Sequence, residues 1–342
     1  AMRGGLMALA VAEAPAYGAV SSSEAARLGK DLTPFGSPMA GNEAGTIPAW
    51  DGGITEPPAS YEGSGHHHPN PFPDDEVLFT INADNADQYS EHLTDGLKAM
   101  FEAYPTTFEI PVYKTRRSHS LPEFVEKDTR ENATSAKIVG EGAGLDGAFG
   151  GYPFPILSGN DEQKAWQVIW NHLTRWRGIS LTRRSSEVAV QQNGDYTLVT
   201  SQQEAFFNYY NPEGGENTLD NVIFYYLSFT QSPPRLAGGA ILVHETLNQI
   251  INPRNGWGYN AGQRRVRRAP NLGYDSPIAA ADNLRTADDT DIFNGALDRY
   301  NWTYEGKREI YIPYNNYEIA QKGLPYSEIL GKTHLNPDLM RW

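Results

Sequence analysis

The spacing of hydrophobic residues along the chain changes near residue 178. Upstream, apolar side chains recur at three- and four-residue steps, which predicts amphipathic helices over 84–104, about 122–136 and 160–178. Downstream, apolar runs of period two lie between Pro, Gly and Asn turns, which predicts strands. These strands are expected at 186–200 (a hairpin turning at Asn193-Gly194), 221–231, 239–251, 256–261, 263–269 and 299–317. Short turns between successive strands imply antiparallel pairing.

The clearest predicted helix carries three tryptophans. Asn160 is a good N-cap, and Gly178 can end the helix in a left-handed conformation. Its apolar stripe consists of Trp166, Ile169, Trp170, Leu173 and Trp176. Such a stripe is typical of a core helix, and it also suits one wall of a ligand cavity. The helix over 84–104 is expected to begin at an Asp84 cap and to stop at Pro105.

The predicted strand at 221–231 is apolar on both sides. One alternating set is Val222, Phe224 and Tyr226, and the other is Ile223, Tyr225, Leu227 and Phe229. Leaving either set in water would expose a large apolar patch. The tryptophan helix can cover one face, so the other is expected to meet more protein or a hydrophobic ligand.

Two segments near the N-terminus lack the pattern of a folded core. Residues 30–75 are rich in Gly and Pro without an apolar period, which indicates an irregular wrapping segment. Residues 1–19 combine Arg3, a short apolar run and the small-residue pattern Ala14-Pro15-Ala16. This combination is similar to a weak secretory signal peptide.

Charge and cysteine content exclude several classes of function. The chain has 342 residues, of which 42 are acidic and 28 basic, for a net charge of −14. Nucleic acid is therefore a poor partner, because binding phosphates requires a basic field. The absence of cysteine excludes disulfides, thiolate metal sites and a cysteine nucleophile. No segment approaches the ~18 consecutive apolar residues that a membrane-spanning helix needs, so the mature chain is not expected to span a membrane.

Catalytic and metal-binding motifs are missing from the sequence. There is no G-x-S-x-G elbow, no H-E-x-x-H helix and no Walker loop. The adjacent histidines at 66–68 point in different directions, and the acids at 287–291 lack the spacing of an EF-hand. His244 and Glu245 are neighbours on a strand and face opposite sides, and His172 belongs to the tryptophan helix as a structural residue. We therefore expect no enzyme, no catalytic residue, no metal and no cofactor.

Five segments carry a resemblance to a known family. They are EAARLGKDLTPFGSPMAGN (24–42), YPTTFEIPVYKTRRS (104–118), WGYNAGQRRVRRAPNLGYD (257–275), LRTADDTDIFNGALDRYNWTYEGKREIYIPYN (284–315) and HLNPDLMRW (334–342). On these residues the chain resembles the periplasmic proteins grouped as domain of unknown function 1329. That group is itself similar to the Lol carriers that sort outer-membrane lipoproteins. The resemblance covers nearly the whole mature chain.

The resemblance implies an α+β fold and a location. A strongly curved antiparallel β-sheet is expected to form a Lol-like incomplete barrel around an apolar cavity, with helices lidding its concave face. Residues 20–342 would form a single domain, with the wrapping segment and helices over 20–177 and the curved sheet over 178–342. Family members continue past the equivalent of Trp342, so a truncated sheet with an unpaired edge is expected. The implied compartment is the periplasm of a Gram-negative envelope.

Two groups of residues are candidates for binding. The expected cavity wall consists of Trp166, Trp170, Phe224, Tyr226, Ile241, Val243, Trp257 and Tyr259, on an assumed strand parity. Arg264, Arg265, Arg267 and Arg268 are the candidates for contact with an anionic head group or a partner protein. The alternative is that these arginines pair with acids of the same chain, including Asp288, Asp289 and Asp291.

Three functions follow as hypotheses. The first is a non-catalytic periplasmic carrier or chaperone for a lipid or other hydrophobic molecule, working between inner-membrane export machinery and the outer membrane. The second is an adaptor that docks an outer-membrane barrel or an inner-membrane export protein while its own side chains fill the cavity. The third is an envelope hydrolase, which would need a convergent nucleophile or carboxylate pair in a cleft.

Overall fold

A computed structural model describes residues 17–269, 274–331 and 333–342 of the chain. Most of the signal-peptide-like segment predicted at 1–19 lies outside the described residues. The α-helices are α1 (Ser22–Ala25), α2 (Asp95–Ala103), α3 (Glu123–Ser135), α4 (Asp161–Leu173) and α5 (Tyr326–Leu330). The strands are β1 (Val77–Ile81), β2 (Ile110–Tyr113), β3 (Lys137–Val139), β4 (Gly144–Asp146), β5 (Ser180–Glu187), β6 (Val199–Phe206), β7 (Val222–Ser232), β8 (Ala240–Thr246), β9 (Asn255–Asn260) and β10 (Arg265–Arg268).

A six-stranded antiparallel sheet dominates the fold. Its spatial order, β10-β9-β8-β7-β6-β5, follows the chain as a meander, and β5 and β10 are its two edges, so the sheet is not closed into a barrel. The predicted antiparallel pairing of successive strands is confirmed. Two smaller antiparallel pairs, β1-β2 and β3-β4, lie outside this sheet. The fold is therefore mixed α and β, as the sequence predicted.

The predicted helices differ from the structure mainly at their ends. The Asn160 cap is present as a capping box with Gln163, but α4 ends at Leu173, before the predicted Gly178 stop. The helix predicted at 84–104 divides into a 3₁₀ segment, Ala86–His92, and α2, which Thr94 caps in place of Asp84. Leu93 is extended and buried between the two parts, and its burial in the core stabilises the break.

Two of the strand predictions are wrong. Residues 301–317 form no strand; this segment leaves the sheet, and the backbone N–H of Tyr311 donates to His92 O at 3.0 Å. The hairpin predicted at 186–200 does join β5 to β6, but the strands end at Glu187 and Val199. Asn193-Gly194 lies within the longer connecting loop, where Gly194 takes a φ of +88°. Because the C-terminal segment is drawn to a second core, its alternating apolar pattern does not produce a strand.

That second core lies around the β1-β2 pair. Its buried side chains are Ile81, Leu93, Phe101, Phe108, Ile110 and Val112. Tyr311 and Trp342 from the C-terminal segment pack against it. The backbone of Trp342 bonds to both Pro111 and Tyr113 along the edge of β2. The segment after residue 300 therefore runs back to the N-terminal part of the molecule and closes a cleft there.

Candidate functional site

Side chains of α4 pack near Phe224 on one face of the six-stranded sheet. The strand register places Phe224, Tyr226, Val243, Ile241 and Glu245 on this face. Trp166 and Trp170 come from α4 and belong to the same core cluster as Phe224. Trp170 is 1% exposed, and its Nε1–H donates to Gly142 O at 3.0 Å. The structure thus brings six of the eight predicted wall residues to one face.

Little space remains between α4 and the strands. A cavity of about 10 Å³ lies among Trp170, Leu173, Phe224 and Glu245. A void of this size holds about one water molecule and cannot accept an acyl chain. Ile241, further along the same face, is 41% exposed. Trp166, Trp170, Phe224 and Val243 are therefore core side chains in this conformation.

A buried ion pair lies beside this small cavity. Glu245 and Arg254 contact each other with side chains only 6% and 7% exposed. Arg254 also donates to Asn294 O at 2.6 Å. The strand parity does send Glu245 and His244 to opposite faces, as predicted, and His244 stacks edge-on between Tyr225 and Trp257 on the other side. Because two charges are desolvated here, each depends on the other for stability.

A second charged side chain, Arg177, follows the end of α4 and lies over the same side of the sheet. Arg177 lies 4.6 Å above the Phe207 ring and donates to Asp291 at 3.0 Å. Arg175 also contacts Asp291, at 3.3 Å, and burial lowers the pKa of Arg177 to about 10. His172 bonds to the backbone of the same loop through Asp291 O at 2.9 Å. These contacts hold residues 291–293 against the helix and are structural.

The opposite face of the sheet carries an apolar surface with several partly exposed side chains. Trp257 and Tyr259 lie on this face, so the structure does not bring these two predicted wall residues together with the other six. The surface, called here the open face, consists of Phe206, Tyr225, Leu227, Phe229, Leu242, Trp257, Tyr259 and Val266. Phe229 is 42% exposed and Val266 is 63% exposed.

The four candidate arginines lie in and beside the edge strand β10. Arg265, Arg267 and Arg268 belong to the strand and are exposed, whereas Arg264 occupies the preceding turn with a φ of +52°. Arg264 therefore lies outside the strand and has no strand face in common with Arg268. Arg268 donates to the side-chain oxygen of Asn255. None of the four forms an ion pair within the part of the chain that the structure describes.

The acids that were expected to pair with these arginines have other partners. Asp291 contacts Arg175 and Arg177. Asp288 accepts hydrogen bonds from Thr286 and Tyr300, and the bond to Asp288 raises the pKa of Tyr300 to about 12. Asp289 accepts from the backbone and the hydroxyl of Thr286. The prediction of self-pairing with these three acids is therefore wrong.

A larger cavity lies away from the sheet. This cleft has a volume of about 330 Å³, within the range of about 300–1,000 Å³ that is usual for small-molecule sites. Four separate segments form its walls: the wrapping segment, the end of β2 with the chain after it, residues 310–315 and the last two residues. Its apolar lining consists of Phe35, Ile47, Trp50, Val112, Tyr113, Ile310, Tyr311, Ile312, Tyr314 and Trp342.

The charged side chains that line the cleft are cationic. Lys114, Arg116, Arg117 and Arg341 reach it, and no Asp or Glu side chain is among its described lining residues. Asp75 lies behind the wall and pairs with Arg341 at 3.0 Å and with Arg116. The Arg116 hydrogen bond lowers the pKa of Asp75, so this carboxylate stays ionised. With Asp75 paired to two cations, the cleft keeps a net positive charge in a protein whose total charge is −14.

Hydrogen bonds fix the walls of the cleft. Arg117 donates to Pro38 O at 2.7 Å and to Met39 O at 3.2 Å, which holds the wrapping segment in place. Trp50 donates its indole N–H to His119 O at 3.0 Å. Desolvation lowers the pKa of His119, which is therefore neutral at pH 7. The buried Nε1–H of Trp342 has no acceptor among the described residues and lies at this wall.

Sequence reasoning missed the cleft as a site. Its lining comes from positions as far apart as Phe35 and Trp342, and no local spacing links them. The segments 24–42, 104–118, 284–315 and 334–342, which were singled out for the resemblance, supply most of its walls. The available signal was the density of aromatic and cationic residues in PVYKTRRS and REIYIPYN.

Two properties concern membranes and metals. No helix among the described residues is long and apolar enough to cross a membrane. The described residues also contain no group of three or more His, Asp or Glu side chains placed to hold a metal ion. Neither property identifies a ligand for the cleft or for the sheet.

Comparison with known proteins gives one family and one related sequence. The family model described as "Protein of unknown function (DUF1329)" matches residues 80–342. The uncharacterized protein PA3922 of Pseudomonas aeruginosa is 48% identical over 338 residues, which cover 99% of this chain and 73% of that protein.

Two solved structures show weaker likeness. A domain assigned as an outer membrane lipoprotein-sorting protein from Vibrio parahaemolyticus aligns with 41% of this chain and 52% of its own, at 16% identity and a TM-score of 0.29. A DUF1329 family protein from Desulfovibrio piger aligns with 38% of this chain and 48% of its own, at 15% identity and a TM-score of 0.29. This chain thus aligns with only about half of each solved chain. The family match over residues 80–342 decides the assignment, and the chain belongs to the family of proteins of unknown function designated DUF1329.

Proposed function

We propose that the protein is a non-catalytic carrier that binds a hydrophobic molecule with an acidic head group. The observation that carries this proposal is the 330 Å³ cleft, whose lining is mostly aromatic and aliphatic and whose charged lining residues are four cations. This combination suits an amphiphile such as a fatty acid or another anionic lipid. It also differs from the expectation that the cargo would lie between α4 and the sheet.

The apolar part of the cleft supplies the binding energy. Ile310 and Ile312 are 43% and 50% exposed, so a ligand would remove apolar surface that now contacts water. Burying about 300 Å² of apolar ligand surface contributes roughly 7–8 kcal/mol before the costs of ordering. The pre-formed wall around Trp50 and Tyr314 keeps those costs low, because Tyr314 already bonds to Ser118 at 2.5 Å.

The cations determine which end of the ligand enters first. Lys114 is exposed at the cleft and has no carboxylate partner among the described residues, so its charge is available. Arg116 and Arg341 are already engaged with Asp75, and Arg117 with backbone carbonyls. An acidic head group is therefore expected near Lys114, with the hydrocarbon against Ile312.

The proposal extends to the location and route of the carrier. We place it in the periplasm, moving its cargo between inner-membrane export machinery and the outer membrane. The family membership and the signal-peptide-like pattern at 1–19 support this placement. In the same proposal α4 lids a curved sheet, and the space between its two tryptophans and the four strand residues that face them offers a second position for cargo. That position requires α4 to move, because only about 10 Å³ is free there.

An adaptor role is the second candidate function. The burial of Trp166 and Trp170, which belong to α4, favours this role. A core that the protein's own side chains fill has no room for a ligand. The two functions differ in whether a hydrophobic small molecule binds with measurable affinity.

Titration with dansyl-labelled undecanoic acid tests the carrier proposal. We expect saturable binding by the wild type. Ile312→Glu should weaken it at least ~10-fold, because the substitution places a buried unpaired charge against the hydrocarbon. Lys114→Gln should weaken it about threefold, through loss of one partly exposed ion pair.

Matched controls keep the result specific. Ile251→Glu changes a residue that is 75% exposed elsewhere, and Lys322→Gln removes an exposed charge outside the cleft. Both should bind the probe as the wild type does. If Ile312→Glu and Ile251→Glu bind equally well, the cleft is not the site, and if the wild type does not bind, the adaptor role is favoured.

A further inference from the structure

The β9-β10 hairpin forms a positively charged edge on an acidic protein. Arg265 pairs in register with Asn260 and Arg268 with Trp257, and all four residues of β10 are exposed. Arg265 and Arg267 extend from one face of the strand and Arg268 from the other. The edge therefore presents guanidinium groups on both sides, with Arg264 at the tip.

These charges are available for a partner. The three acids expected to neutralise them, Asp288, Asp289 and Asp291, are bound to other groups. Four arginines within five positions, none with an ion pair among the described residues, concentrate positive charge at one place in a protein of net charge −14. They create a local field of the opposite sign.

Apolar side chains continue directly from the arginines. Val266 lies opposite Tyr259, and Tyr259 lies opposite Ala240. Ala240 in turn lies opposite Phe229, so the four residues form one row across the sheet. Tyr259 is 38% exposed and Val266 is 63% exposed. The hairpin edge thus combines cations with a Trp, a Tyr and an aliphatic residue, which is the composition of protein segments that settle at a lipid–water interface.

A neighbouring loop adds to the same end of the sheet. The connection between β7 and β8 adjoins the hairpin turn, since a Cβ at Gly238 would lie 3.2 Å from Cβ of Ala261. Arg235 in this loop is exposed and has no ion pair among the described residues. The cationic surface therefore extends beyond β10 and includes the tip of the sheet.

We infer that the β9-β10 hairpin docks the protein on an anionic lipid bilayer. The arginines contact the lipid phosphates, while Val266 and Tyr259 enter the interface. This inference goes beyond the proposed cargo cleft, because it concerns a different surface and does not require that a ligand be bound.

Charge argues against two other occupants of the hairpin. A second copy pairing edge to edge through β10 would place arginines opposite arginines, which is destabilising. Nucleic acid would meet the same arginines, but the rest of the protein, at −14, would be repelled along an extended polyanion. A bilayer contacts only the hairpin and leaves the acidic surface in solvent.

Co-sedimentation with vesicles tests the inference on the full chain. The probes are phosphatidylcholine vesicles with and without phosphatidylglycerol. We expect binding only to the anionic vesicles, lost when salt is raised from about 0.1 M to about 1 M, because the screening length falls from ~10 Å to ~3 Å. The variant Arg265→Gln, Arg267→Gln, Arg268→Gln should lose roughly 100-fold in partition coefficient, at about fivefold for each charge.

A charge-matched control separates docking from total charge. The variant Arg27→Gln, Lys127→Gln, Arg130→Gln removes three exposed positive charges far along the chain from the hairpin and should bind vesicles as the wild type does. Thermal unfolding of both variants, compared with the wild type, shows whether each is folded. Ile312→Glu should also bind vesicles normally, so failure of the cleft proposal leaves this one testable.

Several results would overturn the inference. These are equal binding to neutral and anionic vesicles, an equal loss in the two triple variants, or unchanged binding of the folded hairpin variant. Arginine-dependent self-association in sedimentation velocity, or arginine-dependent binding to DNA without vesicle binding, would assign the hairpin to a different partner.

Discussion

The two faces of strand β7 have similar composition but different surroundings. Phe224 and Tyr226 face α4, and Phe224 is 7% exposed. Tyr225 and Phe229 face the opposite side, where Phe229 is 42% exposed. Alternation in a sequence separates the two sets of side chains, but it does not say which set is covered. We therefore expect the face that packs against α4 to contribute more to stability than the open face.

The largest expected difference between the faces is in stability. Trp170→Ala should lower the free energy of unfolding by about 3–5 kcal/mol, because it opens a cavity in the covered core. It also removes the bond to Gly142 O. Phe229→Ala on the open face should cost less than about 1 kcal/mol, since much of that ring already contacts water. Urea unfolding measures both values, and equal losses would show that the two faces do not differ.

The buried ion pair gives the next largest effect. Glu245→Gln leaves the Arg254 charge in a desolvated site and should cost about 3 kcal/mol. Adding Arg254→Met to Glu245→Gln should recover much of this loss, because no unpaired charge then remains. Glu204→Gln, an exposed position on the open face of β6, is the matched control and should change stability by less than about 0.5 kcal/mol.

Acidification should weaken the cleft wall. The folded-state pKa of Asp75 is lowered from its ordinary value of 3.8, so its contribution to stability is complete above that value. The contribution is lost as pH falls below 3.8 and through the lowered folded-state pKa, where Asp75 takes up a proton. Asp75→Asn should therefore lower Tm at pH 7 and show a smaller further decrease on acidification than the wild type. Parallel pH dependences in the two proteins would contradict this role for Asp75.

Substitution of Tyr259 is expected to change stability least, but it is also expected to reduce membrane binding. Tyr259→Ser on the open face should change the free energy of unfolding by no more than about 0.5–1 kcal/mol. The same substitution should reduce partition onto phosphatidylglycerol vesicles, because an aromatic anchor is lost from the interface. If vesicle partition is unchanged, Tyr259 on the open face does not contribute to membrane binding.

The sequence predicted the sheet better than the site. The strand periodicity from Val222 onward and the Asn160 cap identified real elements, because each is a local signal. The run at 299–317 has the same periodicity but is not a strand, since the core around Ile81 and Phe101 recruits Tyr311. Tertiary contacts decide between such outcomes, and a single sequence does not display them.

The candidate site shows the same limit. Phe224, Tyr226, Ile241 and Val243 share a face, as the alternation of side chains along the strands predicted. Trp257 and Tyr259 lie on the other face, because the register of β9 differs by one residue from the one assumed. The cleft could not be derived from spacing, since its walls come from residues some 300 positions apart, such as Phe35 and Trp342. The arginines at 264–268 were visible in the sequence, but their lack of acidic partners became apparent only in the structure.

Lipid analysis of the purified protein tests the central claim most directly. The protein is isolated without detergent from a Gram-negative host, extracted with organic solvent, and the extract is examined by mass spectrometry beside that of Ile312→Glu. The account predicts an anionic lipid or fatty acid in near-stoichiometric amount from the wild type and its loss from the variant. Recovery of no lipid from the wild type, or of equal amounts from both proteins, would contradict it.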